Sequence, residues 1–566
     1  MSDRADLRLG RWSDDVEARL RRWDEEGFGR RLWEKDHTLW SPEPVPELAD
    51  RLGWLTLPES MAAEVESLER FAAEVKADGF RNAVVLGMGG SSLAPEVFSR
   101  TFGSAPGHPA LTVLDSTHPD AVRDAAGRLD PAQTLFLVSS KSGTTTETNS
   151  LFRFFWKIVS EALGDRAGRS FVAITDPGTV LERLARERGF RAVFNAPEEV
   201  GGRYSALTTF GLVPAALIGA DLRRLLERGR DMAGACAPGA AASASPGLRL
   251  GAALGELAAA GRDKMTFLTS PTMASFPDWI EQLVAESTGK HGKGIVPVVG
   301  EPVGVVEDYG GDRFFVGLLL DGEGKDVEEH LAGLEAAGHP VARFHLSDPY
   351  DLGSEIFRWE VATAAAGAVL GINPFDQPDV QLAKELASKA MKERGSGEAG
   401  FASPVVDSSD LDALEAAIRH WLDRALPGDY LGIHAYVPRS GTADLVLPAF
   451  QEALRERSQL AATAGYGPRF LHSTGQLHKG GPSGCRFLQI VDEPTEELPV
   501  PETDYSFRVL IRAQADGDLR ALEQRGREVL RIRIPSAGHA AEAVEGQGDI
   551  PAGLSTILSI LQGGIE

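Results

Sequence analysis

Short β-branched runs recurring between amphipathic stretches leave this chain few folds to adopt. NAVVLGMG, LTVLDS, TLFLVSS and FVAITD follow one another between residues 82 and 176, each apolar and each followed by a loop of small polar residues. A strand that is apolar throughout is covered on both faces, and strands of this kind separated by helices build a parallel sheet. The loops leaving the C-terminal ends of such strands gather on one rim, where open α/β sheets bind their ligands. A second alternating block carries KMTFLTSP, RFFVGLLLDG and PVARFHLSD, and a third carries YLGIHAYVP, CRFLQIV and VLRIRI.

At 566 residues the chain exceeds what one core supports, so several units are expected. Residues 1–60 are charged and rich in tryptophan (Trp12, Trp23, Trp33, Trp40, Trp54), with helical spacing broken at SPEPVPE, and read as a helical arm. ACAPGAAASASPG (235–247) and KERGSGEAGFASP (392–404) read as linkers or exposed connections. The expected units are therefore 1–60, 61–234, 235–395 and 396–566.

A formal net charge of −24 opposes general affinity for nucleic acid or an anionic membrane. An anionic ligand would need a local positive site. The two cysteines, Cys236 and Cys485, lack metal-ligand spacing, so neither a zinc site nor a disulfide framework is expected, and a reducing cytoplasm fits. The absence of an apolar leader or any long apolar run points the same way.

Six motifs carry candidate chemistry. In GMGGSS (87–92) the turn after a strand exposes backbone N–H groups at a helix start, which suits an anion or a sugar near Gly90 and Ser91. It lacks the third glycine of a dinucleotide fingerprint, which weakens a nicotinamide dehydrogenase reading. SSKSGTTTET (139–148) offers seven hydroxyls and Lys141 where a helix begins, more than a helix cap needs and well suited to a phosphate. GGRYS (201–205) sets Arg203 in a constrained turn; alone it reads as a surface ion-pair partner, but beside a developing negative charge it would stabilise that charge. QLVAESTGK (282–290) stacks Gln282 and Glu286 on one helical face. Most glutamates are solvated surface groups. A partly desolvated one beside a small cationic turn is a suitable base for a proton α to a carbonyl. NPFDQPDVQLAK (373–384) adds Lys384 on a helix, and HSTGQLHKGG (472–481) adds His472 and His478 in a glycine-rich loop.

In this order the segments from about residue 82 to 390 resemble the phosphoglucose isomerase family, built from paired sugar-isomerase (SIS) domains. With the N-terminal arm and LHSTGQLHKGGP, the chain looks most like the isomerase half of bacterial proteins that fuse a transaldolase to such an isomerase. The resemblance implies an α/β fold of two SIS domains, each a parallel sheet flanked by helices, plus the arm and an additional C-terminal α/β region. It implies reversible conversion of glucose 6-phosphate and fructose 6-phosphate without metal or cofactor, in a homodimer. Carried over by motif, Ser140, Lys141, Ser142 and Thr145 would hold the phosphate, with Gly90 and Ser91 near the sugar and Gln282 on the substrate. Glu286 would shuttle a proton between C1 and C2, Arg203 would stabilise the enediolate, and Lys384 with a histidine would open the ring. That histidine belongs to an NGQH stretch placed before the lysine helix in the family, whereas STGQLH follows Lys384 here. The one-residue offset favours His478 over His472, with His291 and His434 as further alternatives. A sugar-phosphate-binding protein without catalysis, and an isomerase also accepting mannose 6-phosphate, are competing readings.

Overall fold

The structure is a computed structural model that describes residues 4–394, 405–439, 443–494, 497–535 and 552–563. It contains three five-stranded sheets, one for each alternating block. The strands, in chain order, are β1 Ala5–Arg8, β2 Asn82–Leu86, β3 Ala110–Leu114, β4 Thr134–Ser139, β5 Phe171–Thr175, β6 Ala192–Asn195, β7 Lys264–Thr269, β8 Val296–Val298, β9 Arg313–Leu320, β10 Val341–Leu346, β11 Val406–Asp407, β12 Tyr430–Tyr436, β13 Ala461–Tyr466, β14 Cys485–Asp492 and β15 Glu528–Ile534. Every residue of β4, β5, β9 and β12 is buried, as continuous apolar runs require when helices cover both faces.

The first sheet runs β3-β2-β4-β5-β6, the second β1-β10-β9-β7-β8 and the third β11-β15-β14-β12-β13. All pairings are parallel except β1 against β10. With one edge strand of each sheet set aside and the other four numbered in chain order, every sheet runs 2-1-3-4, and only that edge strand differs in origin. In unit one it is β6. In unit two it is β1, lent by the arm. In unit three it is β11. The 2-1-3-4 order reverses winding between its first and third strands, so the loops after those strands open a crevice there. In unit one these loops are GMGGSS and SSKSGTT.

The arm differs from the all-helical reading, because Ala5–Leu7 are only partly buried and pair along the edge of the second sheet. Its remainder is helical (Ser13–Glu26, Phe28–Trp33), and Trp12, Trp23, Trp40 and Trp54 enter the main core. The segment 235–247 is exposed only in part: Cys236, Ala242 and Ser245 are buried. The linker expected at 392–404 falls largely outside the described residues.

Units one and two share one continuous core, which runs across both sheets and the arm. Within it the helices Pro246–Ala259 and Leu352–Leu370 approach closely through glycines four residues apart. A Cβ on Gly247 would lie 2.6 Å from Val361 Cβ, one on Gly251 2.6 Å from Ala365 Cβ, and one on Gly255 2.5 Å from Val369 Cβ. Gly251→Val should therefore overpack this seam and cost about 1–3 kcal/mol, read as a lower urea midpoint. Gly239→Ala, where added atoms meet open space, should stay within about 0.5 kcal/mol; equal midpoints for the two variants would contradict the seam.

Candidate active site

The helix Phe276–Thr288 follows β7 and turns Gln282 and Glu286 to one side, while Trp279, Ile280, Leu283 and Val284 are buried in the core. Glu286 is the less buried of the polar pair. Gln282 Nε2 donates to Glu286 Oε2 at 3.1 Å, and Arg203 Nη1 lies 3.4 Å from Glu286 Oε1. The carboxylate is thus gripped from two sides.

Arg203 is buried, and its other bonds fix its plane. Nε donates to Ser287 Oγ (2.8 Å), Nη1 to Gln377 Oε1 (2.8 Å), and Nη2 to the carbonyls of Pro374 (2.8 Å) and Asp376 (3.0 Å). The NPFDQP turn therefore cradles the guanidinium, with Phe375 packed on Tyr204 at 5.5 Å between ring centroids. Behind it Lys290 pairs with Asp376 (2.7 Å) and donates to the Asn373 carbonyl (2.5 Å). Burial, with the Arg203 charge beside it, brings the Lys290 ammonium down to about 8.

The glycine turn sets how tightly these pieces close. A Cβ on Gly90 would lie 1.9 Å from the Gly202 carbonyl oxygen, and one on Gly89, whose φ is +54°, would lie 2.6 Å from the His472 carbonyl oxygen and 2.8 Å from Gln282 Nε2. Only glycine fits at either place. Ser91 is buried in the same turn.

At the hydroxyl-rich turn Ser140 Oγ meets Thr145 Oγ1 at 2.9 Å and Ser142 Oγ meets Thr144 Oγ1 at 2.9 Å. Lys141 pairs with Asp176 at 2.5 Å. The helix Thr146–Leu163 starts there without a side-chain bond from its N-cap residue, Thr145, so the helix dipole adds partial positive charge at this turn. Hydroxyls, a cation and a helix N-terminus converge as an anion requires.

The histidines part company. His472 sits just beyond β13: its carbonyl accepts Gln282 Nε2 (2.8 Å) and its ring Nε2 lies 3.0 Å from Glu147 Oε1. Burial alone would raise the Glu147 carboxyl; the His472 imidazole and, more weakly, the Lys384 ammonium hold it down at about 2. Lys384 is exposed on the helix Pro378–Arg394, near enough to act on Glu147. His478, favoured from the motif, is not in this group. It is buried, with Nδ1 2.9 Å from His434 Nε2, and His434 Nδ1 lies 3.1 Å from Asp518 Oδ2. His291 is exposed in the turn after the base helix.

The structure thus joins Gly90, Ser91, Arg203, Gln282 and Glu286 directly, brings Lys384 within electrostatic range of Glu147, and sets His472, not His478, beside this group. A helical turn, Gly475–Gly480, carries His478 inward and away from this group. Glu147, Ser287, Gln377 and Lys290 were missed. Their only trace was membership of motifs already singled out, and a glutamate in a first helical turn has an ordinary capping explanation. Elsewhere His118, Asp120 and Asp492 form a group of metal-ligand type, but the His118 ring is already engaged, with Asp492 (3.0 Å) and the Asp120 amide (3.2 Å). Among the described residues no helix is long and apolar enough to cross a membrane.

The model of the phosphoglucose isomerase family matches residues 61–299. The glucose-6-phosphate isomerase of Rubrobacter xylanophilus is 31% identical over 401 residues, covering 62% of this chain and 91% of the relative. That of Thermus thermophilus is 30% identical over 390 residues, 61% and 91% of the two chains. A solved glucose-6-phosphate isomerase from Chlamydia trachomatis shares the fold at TM-score 0.57 and 20% identity, over 70% of this chain and 89% of that one. A solved hypothetical protein of Thermus thermophilus superposes at TM-score 0.58 and 28% identity, over 68% and 99%.

Burial is the largest influence driving both imidazoles of the His434–His478 pair toward the neutral form. Their folded values lie below the ordinary histidine value of about 6.5, so the unfolded chain takes up protons first and stability falls as pH drops below about 6.5. The Glu147 window lies lower, below about 4.5. The apparent Tm should fall between pH 7 and 5, and more steeply in the parent than in His478→Asn; parallel slopes would show that the pair does not titrate on unfolding.

Proposed function

The chain belongs to the phosphoglucose isomerase family, and on that premise we propose that it interconverts glucose 6-phosphate and fructose 6-phosphate through an enediolate held between Glu286 and Arg203. The observation that carries the reading is a carboxylate fixed at 3.1 Å from Gln282 and 3.4 Å from a buried arginine, on the rim that also bears the hydroxyl-rich turn.

The phosphate is assigned to Ser140, Lys141, Ser142 and Thr145 with the N–H groups opening the following helix, and the sugar to the neighbourhood of Gly90 and Ser91. Anchoring at the phosphate leaves the reacting carbons to be placed by geometry alone. Ring opening breaks C1–O5 while O1 loses a proton and O5 gains one. This exchange is assigned to His472 and Lys384. The ionised Glu147 accepts the Nε2 hydrogen of His472, which fixes the tautomer and leaves Nδ1 to face the substrate. Glu286 then takes the proton from C2 and returns it to C1, one base serving two adjacent carbons. Arg203, its plane set by four partners, offers fixed positive charge where the enediolate oxygens develop theirs. Gln282 spends its amide hydrogens on Glu286 and the His472 carbonyl, so its part is to hold the base, with Oε1 left for the sugar.

The cytoplasm suits a chain whose two cysteines are both buried. In a homodimer, the assembly the family implies, each subunit would carry a whole set of these groups.

Glu286→Gln should lower exchange of the C2 proton of glucose 6-phosphate with solvent by about 10²–10⁴-fold, with affinity for 6-phosphogluconate kept within a few fold by calorimetry. Retained exchange would remove Glu286 as the base. His472→Ala should slow turnover of cyclic glucose 6-phosphate far more than that of an aldotetrose 4-phosphate, which has no free hydroxyl to close a ring, while equal losses on the two substrates would assign His472 elsewhere.

A further inference from the structure

The loop histidine that the mechanism leaves unused belongs to a buried chain of hydrogen bonds. The Asp518 carboxyl is held far down: burial opposes this, but Lys479, at 2.7 Å from Oδ1, and His434, at 3.1 Å from Oδ2, outweigh it. An ionised Asp518 accepts, so His434 carries its proton on Nδ1. Its Nε2 is then the lone-pair nitrogen and accepts from His478 Nδ1 at 2.9 Å. His478 Nε2 is left as a lone pair with no protein partner among the described residues. The order of donation runs one way, from His478 through His434 to Asp518.

This chain holds one end of a twelve-residue segment whose other groups reach into units one and two. Arg469 pairs with Glu96 (2.5 Å) and Asp115 (2.8 Å) of unit one. His472 meets Glu147 and Gln282. Gln476 Nε2 donates to the Gly289 carbonyl (2.9 Å) at the end of the base helix and to Asp379 Oδ2 (2.7 Å) at the start of the lysine helix, whose Asp379 N–H it accepts at 2.8 Å. Arg527 binds the carbonyls of His478, Lys479 and Gly481 (3.1, 3.2 and 2.8 Å), closing the far end of the turn.

We propose that the Asp518–His434–His478 relay is a positioning device for the isomerisation, fixing the 469–480 segment on the third sheet so that His472 meets Glu147. None of the three residues touches the rim where substrate is placed, so they act through His472. The inference rests on the ring-opening role assigned to His472 above. The charged and titratable groups facing the imidazole pair are Asp518, Lys479, Arg527 and Tyr430. Among them only the Asp518 oxygen makes a charged contact with a ring, so the pair stays neutral and keeps one tautomer.

Two amides at position 478 separate positioning from mere packing. Asparagine places its amide where His478 Nδ1 stands and keeps the bond to His434, whereas glutamine displaces it toward the Nε2 position and strands His434 Nε2. His478→Gln should lower kcat on cyclic glucose 6-phosphate by roughly 10–100-fold, leave KM and aldotetrose 4-phosphate turnover within a few fold, and His478→Asn should restore the cyclic reaction. Equal losses on both substrates in His478→Gln, or no loss, would overturn the relay. His472→Ala is measured alongside: if it fails to discriminate the two substrates, the ring-opening assignment fails, whereas discrimination in His472→Ala without it in His478→Gln counts against the relay alone. Should the glutamine variant not fold, imidazole ¹⁵N shifts of the parent protein decide, with Nδ1–H tautomers expected for both His434 and His478, and an Nε2–H or cationic ring at either overturning the proposal.

Discussion

The amide of Gln282 has two hydrogens, and the site depends on where they go. One bonds Glu286 Oε2 at 3.1 Å and the other the His472 carbonyl at 2.8 Å. A single buried side chain of unit two therefore orients Glu286 and receives the backbone of unit three, and Gly89 of unit one lies so close that a methyl group there would strike both the Gln282 amide and the His472 carbonyl. Buried amides in a low-dielectric site are costly when unpaired. Displacing unit three would strand this donor, and the close approach of Gly89 leaves unit one no room to shift toward it.

Around that point the chain assembles positive charge that its composition lacks. Arg203, Lys290, Lys141 and Lys384 stand near the rim of a protein with a formal net charge of −24. For Arg203, Lys290 and Lys141 the contacts show a reason for tolerating it. Arg203 is bonded to carbonyls and neutral amide or hydroxyl oxygens as well as facing Glu286, so its charge is not cancelled by a bidentate acid. Lys290 and Lys141 are matched by Asp376 and Asp176. A buried arginine solvated by fixed dipoles keeps its field available to a charge that forms during reaction, and needs no reorganisation to supply it.

Much of the sheet architecture was legible because buried parallel strands write themselves as unbroken apolar runs: β4, β9 and β12 could hardly be read otherwise. β8 escaped because three residues, Val-Pro-Val, make no pattern, and β13 because AATAGY is built of small residues. β1 escaped because a short, half-buried edge strand in a charged arm has no apolar period to show. In the site, the turns and the base helix were legible from local chemistry. The pairing of His472 with Glu147 spans 325 positions, and no local pattern carries a contact of that range. Motif register counted along the chain favours His478, but it carries no information on direction: the turn Gly475–Gly480 sends Gln476 toward the helix Phe276–Thr288 and His478 toward the third sheet.

The histidine found out of order then has a geometric explanation. All three units wind four of their strands in the same 2-1-3-4 order, and loops or helices after those strands meet around Gln282. Unit one contributes the loops after β2 and β4, and unit two the helix after β7. Unit three contributes the loop after β13. What a proton-transfer group needs is a fixed position within hydrogen-bond reach of its orienting partner, and sequence order enters only through which loops can reach the centre. A segment anchored by Arg469 in unit one, by Gln476 in unit two and by His478 in its own sheet meets that need from a position after Lys384 as well as from one before it. The rearranged order alters the route of the chain and leaves the convergence of side chains intact.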